Sequence, residues 1–213
     1  MKNREAKSNM IVDAAEQLFF SQGFKATSMD QIAREADVAK GTLYLYFKSK
    51  KELYYAVGQR AMECLKGMFD ETSVAAKTGL ERLFSYAKAF LKFQKEHPNY
   101  YDFIINYQGE KYKLSKQGRE VKSTYEGSIH LFSSVMDSVK EGMEDGSIKV
   151  DMEPELLASL LWCEICGVAQ FAGLRELFFK QFSSEVTADN IRDGFLNLTE
   201  FFISGQKKEE VDT

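Results

Sequence analysis

Proline is almost missing from the 213 residues, which hold only Pro98 and Pro154, and the 14 glycines leave long stretches without a breaker. Long uninterrupted elements follow, because these two residue types punctuate chains most strongly. The three cysteines, Cys64, Cys163 and Cys166, cannot all pair within one chain, and the two histidines, His97 and His130, are not spaced to complete a zinc site with them. Cys163 and Cys166 form a C-x-x-C inside a helical pattern with no adjoining strand, so they read as small buried hydrophobes rather than redox or metal groups. There is no Ser/His/Asp set, no paired catalytic carboxylates and no glycine-rich phosphate loop, so no catalytic residues, cofactor or metal are expected. The start, MKNREAKSNM, lacks an apolar stretch and a small-residue cleavage site, which places the chain in the cytoplasm as an expectation.

Charge is unevenly distributed. Residues 1–60 hold 10 Lys/Arg against 7 Asp/Glu, whereas residues 61–213 hold 18 against 25, so a net charge of −4 conceals a basic N-terminal quarter. Alternation of the strand type is absent, and a 3.6-residue period recurs throughout, giving an all-α chain of about nine helices. Ile11, Ala14, Ala15, Leu18 and Phe19 make the first apolar stripe, and Gly23 stands where a left-handed residue would end it. Ser28 with Gln31, and Ser49 with Glu52, have capping-box spacing, so helices begin after each serine. The helix from Ser49 carries Leu53, Val57, Ala61, Leu65, Met68 and Phe69 on one face and spans some 20 residues, about 30 Å. Further on, Val121, Tyr125, Ile129, Phe132, Met136, Val139 and Met143 set the apolar face of another long helix. Pro154 opens the next, and Thr187 caps the last.

Between the second and fourth helices, "ADVAKGTLYLYF" reads as a tight turn and a short helix, the arrangement of a helix-turn-helix. At about 100° per residue, Leu43 and Phe47 share the inward face while Gly41 and Leu45 point the opposite way. Thr42, Tyr44 and Tyr46 lie on the flanks with hydroxyls directed outwards, and Lys40, Lys48, Lys50 and Lys51 bracket the helix. Such a face suits a DNA major groove, with hydroxyls and ammoniums on phosphates and Leu45 or Thr42 against a thymine methyl. The helix starts near Ser28 and Ser49 also offer amides to phosphates.

The stretch "AAEQLFFSQGFKATSMDQIAREADVAKGTLYLYFKSKKELYYAV" resembles the N-terminal domain of the tetracycline-repressor (TetR) family of transcriptional regulators. The pattern F-x-x-x-G-[FY]-x-x-[TA]-[ST], then I-A-x-x-A, then K-G-x-[LF]-Y-x-[YH]-F and K-x-x-L is met at Phe19 or Phe20, Gly23, Phe24, Thr27, Ser28, Ile32, Ala33, Ala36, Val38, Lys40, Gly41, Leu43, Tyr44, Tyr46, Phe47, Lys50 and Leu53. The chain departs from it at Asp37, often glycine in the family, and at Ala39, often serine. Asp tolerates positive φ, and the missing cap at Ala39 costs about 1 kcal/mol. The resemblance implies a helix-turn-helix domain over residues 4–64, with its motif at about 28–47, and a helical effector-binding and dimerisation domain over 65–206. It further implies a regulator, most often a repressor, that binds a palindromic operator in double-stranded DNA as a homodimer and is released by a small molecule. The DNA-binding residues expected are Thr27, Ser28, Lys40, Gly41, Thr42, Tyr44, Leu45, Tyr46 and Lys50. A helical enzyme, or a protein-interaction module on a regulator-like fold, is the alternative.

In the second domain "LLASLLWCEICGVAQFAGL" is apolar almost all round and needs a partner surface. A membrane span is the rival reading, and Glu164 and Gln170 at its middle, with Glu153, Glu155 and Arg175 at the flanks giving no clear positive side, speak against it. The expected dimer interface is Leu160, Leu161, Phe171, Ile191, Phe195, Leu198 and Phe202. The expected effector pocket is Phe90, Phe93, Phe103, Tyr107, Tyr125, Ile129, Phe132, Trp162, Cys166 and Gln170, whose aromatic content favours a hydrophobic or aromatic compound, with a Tyr, Glu164 or Gln170 as polar handle.

Overall fold

The computed structural model describes residues 2–105, 122–178 and 186–205, and every regular element among them is a helix. These are α1 (Lys2–Ala26), α2 (Met29–Glu35), α3 (Lys40–Tyr46), α4 (Lys50–Ser73), α5 (Gly79–Glu96), α6 (98–105), α7 (Lys122–Glu144), α8 (Pro154–Phe178) and α9 (Ala188–Ser204). They divide into two compact units, Met1–Cys64 with Asn99–Gly127, and Leu65–Pro98 with Ser128–Thr213. Helix α4 carries residues of both.

The first unit is built on residues that local chemistry already dictates. Ile11, Ala14, Ala15 and Phe19 of α1 are buried against Ile32 and Ala33 of α2, Leu43 of α3, and Leu53 and Val57 of α4. Gly23 breaks α1 at φ 80°, ψ 164°, a backbone that a side chain resists. Ser28 then caps α2: its hydroxyl accepts from the Gln31 amide while the Gln31 side chain accepts from the Ser28 amide at 2.8 Å. The unit also recruits a segment expected in the second domain. Phe103 of α6 packs on Tyr54 with ring centroids 4.2 Å apart and edge-on to Phe20 at 6.1 Å, and the Tyr100 hydroxyl donates to Glu16 at 3.0 Å. Burial, together with the adjacent Glu16 carboxylate, pushes the Tyr100 phenol up to about 12. Phe19, Phe20 and Phe24 of α1 and Tyr54 of α4 thus form one aromatic cluster with Tyr100 and Phe103 of α6, which holds residues 99–105 to the N-terminal helices.

The second unit packs α5 against α7, α8 and α9. The stripe on α7 differs from the one that hydrophobicity suggests: Leu131, Val135, Ser138, Val139 and Gly142 are buried, whereas Ile129 is exposed and Met136 and Met143 are only half-buried. Close approach explains the shift. A Cβ placed on Gly79 would lie 2.0 Å from the Gly142 amide nitrogen and 2.4 Å from the Ser138 carbonyl oxygen, so α5 begins in backbone contact with α7 and only small residues fit. Polar groups secure that contact: the Gly79 amide donates to the Asp145 carboxylate at 2.8 Å and the Leu80 amide to the Ser147 hydroxyl at 3.2 Å, and Arg82 pairs with Glu141. Hydrogen bonds from Ser147 first, then from the Gly79 amide, hold the Asp145 carboxyl below the usual carboxylate range. The stability it contributes is present above the unfolded-state value and is lost as pH falls through the folded one, a window confined to acid.

Thr187 caps α9 reciprocally with Asn190, and Gly205 ends it at φ 64°. Pro154 occupies the first position of α8. The stretch Pro154–Ala172 is long and apolar enough to cross a membrane, and α8 packs along α9 and α5. One side of it remains uncovered, and Cys163, expected in the core, lies on that exposed side. Replacing Gly79 by alanine is expected to destabilise the second unit by about 3 kcal/mol, the upper range for forcing extra atoms into a packed site; thermal unfolding followed by circular dichroism measures it, and a neutral outcome contradicts the backbone contact.

Candidate nucleic-acid interface and internal cavity

The turn between α2 and α3 fixes the geometry of the first candidate site. Asp37 adopts φ 48°, the Asp37 amide donates to the Arg34 carbonyl at 3.1 Å, and the Val38 amide donates back to the Ala33 carbonyl at 2.9 Å. This is a Schellman closure with aspartate in the left-handed position where glycine is commoner. Ala39 then starts α3 with no side-chain cap, as its methyl dictates. Leu43 is 0% exposed, whereas Leu45, two residues on, is 70% exposed and Tyr44 is 38% exposed. Tyr46 and Phe47 rest partly buried against the core.

Gly41 sharpens the picture. A Cβ there would meet nothing within 4 Å, so no packing inside the chain calls for a glycine, although one in a helix costs about 0.8–1 kcal/mol relative to alanine. The glycine leaves the backbone of α3 open to close approach there. Gly41 and Leu45 are both exposed on α3, Thr42 is half-buried beside them, and Ser28 is exposed at the head of α2. Lys40 reaches the Asp30 carboxylate at 2.7 Å, and that hydrogen bond and charge raise its ammonium above the ordinary lysine value. Lys48 donates to the Tyr44 carbonyl at 3.2 Å and Lys51 stands exposed nearby. The arrangement is a short helix with an open, partly apolar face and cations around it, which is what direct reading of base edges with phosphate anchoring requires.

Two expected phosphate-contacting side chains have other duties. The Lys50 ammonium donates to the carbonyls of Thr27 at 2.5 Å, Phe24 at 2.6 Å and Lys25 at 3.4 Å, and lies 4.4 Å from the centroid of the Phe24 ring. Its three donors are therefore committed to the carbonyls left open where α1 ends, a helix C-terminus that attracts cations. Thr27 is 2% exposed, and its hydroxyl donates to the Gly23 carbonyl at 2.8 Å. Both residues shape the scaffold under the interface, because their polar atoms are used internally.

The second candidate site is an apolar cavity of about 40 Å³ in the second unit. Phe69, Leu83, Phe84, Tyr86, Ala87, Phe90, Val135, Leu161, Trp162, Ile165, Phe195, Leu196 and Thr199 line it. Of the residues expected to bind an effector, Phe90 and Trp162 line it, with ring centroids 5.6 Å apart, and Phe132 stands edge-on to Trp162 at 6.3 Å. Cys166 is half-buried, and burial pushes its thiol up to about 11. Phe93 is fully buried, one helical turn beyond the lining. Ile129 and Gln170 are exposed and Phe103 belongs to the first unit, so those three do not face the cavity. Tyr107 lies outside the described residues, and of Tyr125 only the helical backbone is described. Leu161, expected at a dimer surface, turns inward to line the cavity, whereas Leu160, Phe171, Leu198 and Phe202 are exposed along α8 and α9, with Ile191 and Phe195 half-buried beside them. Among the described residues, no group of three or more His, Cys, Asp or Glu side chains could hold a metal ion.

Residues 11–57, the core of the first unit, match the family model described as bacterial regulatory proteins, tetR family. A relative from Bacillus subtilis, the uncharacterized HTH-type transcriptional regulator YhgD, is 30% identical over 156 residues, which span 73% of this chain and 78% of the relative. The chain belongs to the TetR family. It is a DNA-binding transcriptional regulator. Another TetR-type relative, the fatty acid metabolism regulator protein of Bacillus subtilis, is 25% identical over 164 residues, 76% of this chain and 81% of the relative. The solved structure of AibR in complex with isovaleryl coenzyme A and operator DNA covers 90% of this chain and 97% of its own at a TM-score of 0.67 and 18% identity, a likeness of fold. Within this TetR fold, replacing Gly41 by alanine is expected to raise the stability of the first unit by about 0.5–1 kcal/mol, by removing the glycine penalty. The same change is expected to weaken operator binding, measured by fluorescence anisotropy; equal or tighter binding contradicts the close-approach role.

Proposed function

We propose that the chain is a ligand-responsive repressor that binds a palindromic operator as a homodimer, through Gly41, Thr42, Tyr44 and Leu45 of α3. The observation that carries this reading is the division of one seven-residue helix into a fully buried Leu43 and an exposed Gly41–Leu45 face. Leu45 and Thr42 touch base edges, chiefly thymine methyls, while Lys40, Tyr44, Tyr46 and the Ser28 head of α2 hold phosphates. Lys40 exchanges its exposed Asp30 partner for a phosphate at little loss, because solvent screens such surface pairs.

The dimer forms through the uncovered side of α8 and α9. Leu160, Phe171, Leu198 and Phe202 expose large apolar side chains there, and two copies related by a two-fold axis cover them reciprocally. The two recognition helices then need a separation of about 34–36 Å to enter successive major grooves. The effector is a small hydrophobic molecule in the cavity around Trp162. The space there holds about three waters at 10–15 Å³ each, so a larger molecule enters by displacing side chains such as Phe69 of α4. Since α4 contributes residues to both units, its displacement alters the DNA-binding state and lowers operator affinity. The fatty acid metabolism relative and the acyl coenzyme A complex of AibR support an acyl effector, and the AibR complex also supports operator binding.

Selection of bound sequences from random duplex DNA tests the reading. An inverted repeat with half-site centres about one or more helical turns apart is the expected product. Binding should fall steeply with salt, with one step of the slope lost in Lys40→Ala. A single unrepeated site, or no enrichment, contradicts the proposal.

A further inference from the structure

Two polar side chains lie one helical turn beyond the lining of the second unit's cavity. Its lining on α5 reaches Phe90, and Gln94 stands one turn later; its lining on α9 starts at Phe195, and Arg192 stands one turn earlier. The two meet there, with Arg192 Nη2 donating to Gln94 Oε1 at 2.5 Å. Arg192 Nη1 donates to the Asp189 carboxylate at 2.9 Å, which Lys95 Nζ also reaches at 3.1 Å. Arg192 Nε remains. The Arg192 side chain is only 11% exposed, and among the described residues its Nε is a buried polar atom with no hydrogen-bond partner. Native proteins pair the large majority of such atoms.

We propose that Arg192 and Gln94 form the polar end of the effector site, so that the effector is an amphipathic acyl compound whose tail lies among Phe90, Trp162 and Phe195 and whose carboxylate or carbonyl oxygen accepts from Arg192 Nε. This rests on the cavity being the effector site, and it narrows "hydrophobic" to a molecule with an oxygen acceptor at one end. A guanidinium edge recognises such an oxygen by geometry as well as charge. Glu164 lines the exposed groove between α8 and α9 and is not among the residues lining the cavity.

Trp162 is the only tryptophan of the chain and lines the cavity, so its fluorescence reports occupancy. The full-length protein is titrated with dodecanoate and with dodecylammonium, both below their micelle-forming concentrations. Dodecanoate should change the emission saturably and bind about tenfold or more tightly than dodecylammonium, the scale of one charge-assisted contact. Q94E, nearly isosteric, gives Arg192 an internal carboxylate and should weaken dodecanoate about tenfold while leaving dodecylammonium unchanged or tighter. R192Q should remove the preference between the two, with helicity checked by circular dichroism. Equal affinities in the wild type, or dodecanoate binding unaffected by Q94E, overturn the polar end while leaving the cavity reading in place. No response of Trp162 to either amphiphile removes the cavity reading, and this inference falls with it.

Discussion

A helix of seven residues makes too few backbone hydrogen bonds to hold itself in water, so everything α3 does depends on what surrounds Leu43. Its burial against α1, α2 and α4 sets which face of α3 turns inward, and the left-handed Asp37 turn sets where the helix starts. Lys50 serves the same end from below by closing the end of α1 with three carbonyl contacts. With these constraints met, Gly41 and Leu45 face outwards by geometry.

The second unit is packed as closely. Backbone contact between Gly79 and Gly142 and the adjoining hydrogen bonds leave little slack where α5 meets α7. Farther along α5, aromatic side chains of α4, α5, α8 and α9 enclose a space too small for a large effector at rest. Entry of such a molecule therefore moves side chains, and movement of Phe69 is movement on a helix that the DNA-binding unit shares. In this account the small size of the cavity is part of the response, because a site that already fitted its ligand would transmit less.

Local chemistry was readable in the chain, and long-range choices were not. Gly23, the Ser28–Gln31 box, Asp37 and the uncapped Ala39 all act within a few residues of themselves, and each has the geometry that its type dictates. The partition of α3 followed from a 100° period alone. The carbonyl partners of Lys50 lie 23 to 26 positions away, and nothing in a basic patch distinguishes such a cap from a phosphate contact. The face of α7 was misphased because hydrophobicity favours Ile129 and Met136, while close packing there selects Ser138 and Gly142. Phe103 and its neighbours went to the first unit because aromatic partners were waiting on α1 and α4, and a contact of that range leaves no periodic trace. The Arg192–Gln94 pair, 98 positions apart, is of the same kind.

The outward face of α3 is proposed to read DNA. Leu45→Glu addresses it most directly, because Leu45 is 70% exposed and its replacement leaves the core untouched. Binding of the selected operator by wild type and variant is compared by fluorescence anisotropy alongside thermal unfolding of both. The account predicts a loss of at least about 100-fold in affinity, from a carboxylate set against base edges and phosphates, with an unchanged melting temperature. Operator affinity within about threefold of wild type would contradict it.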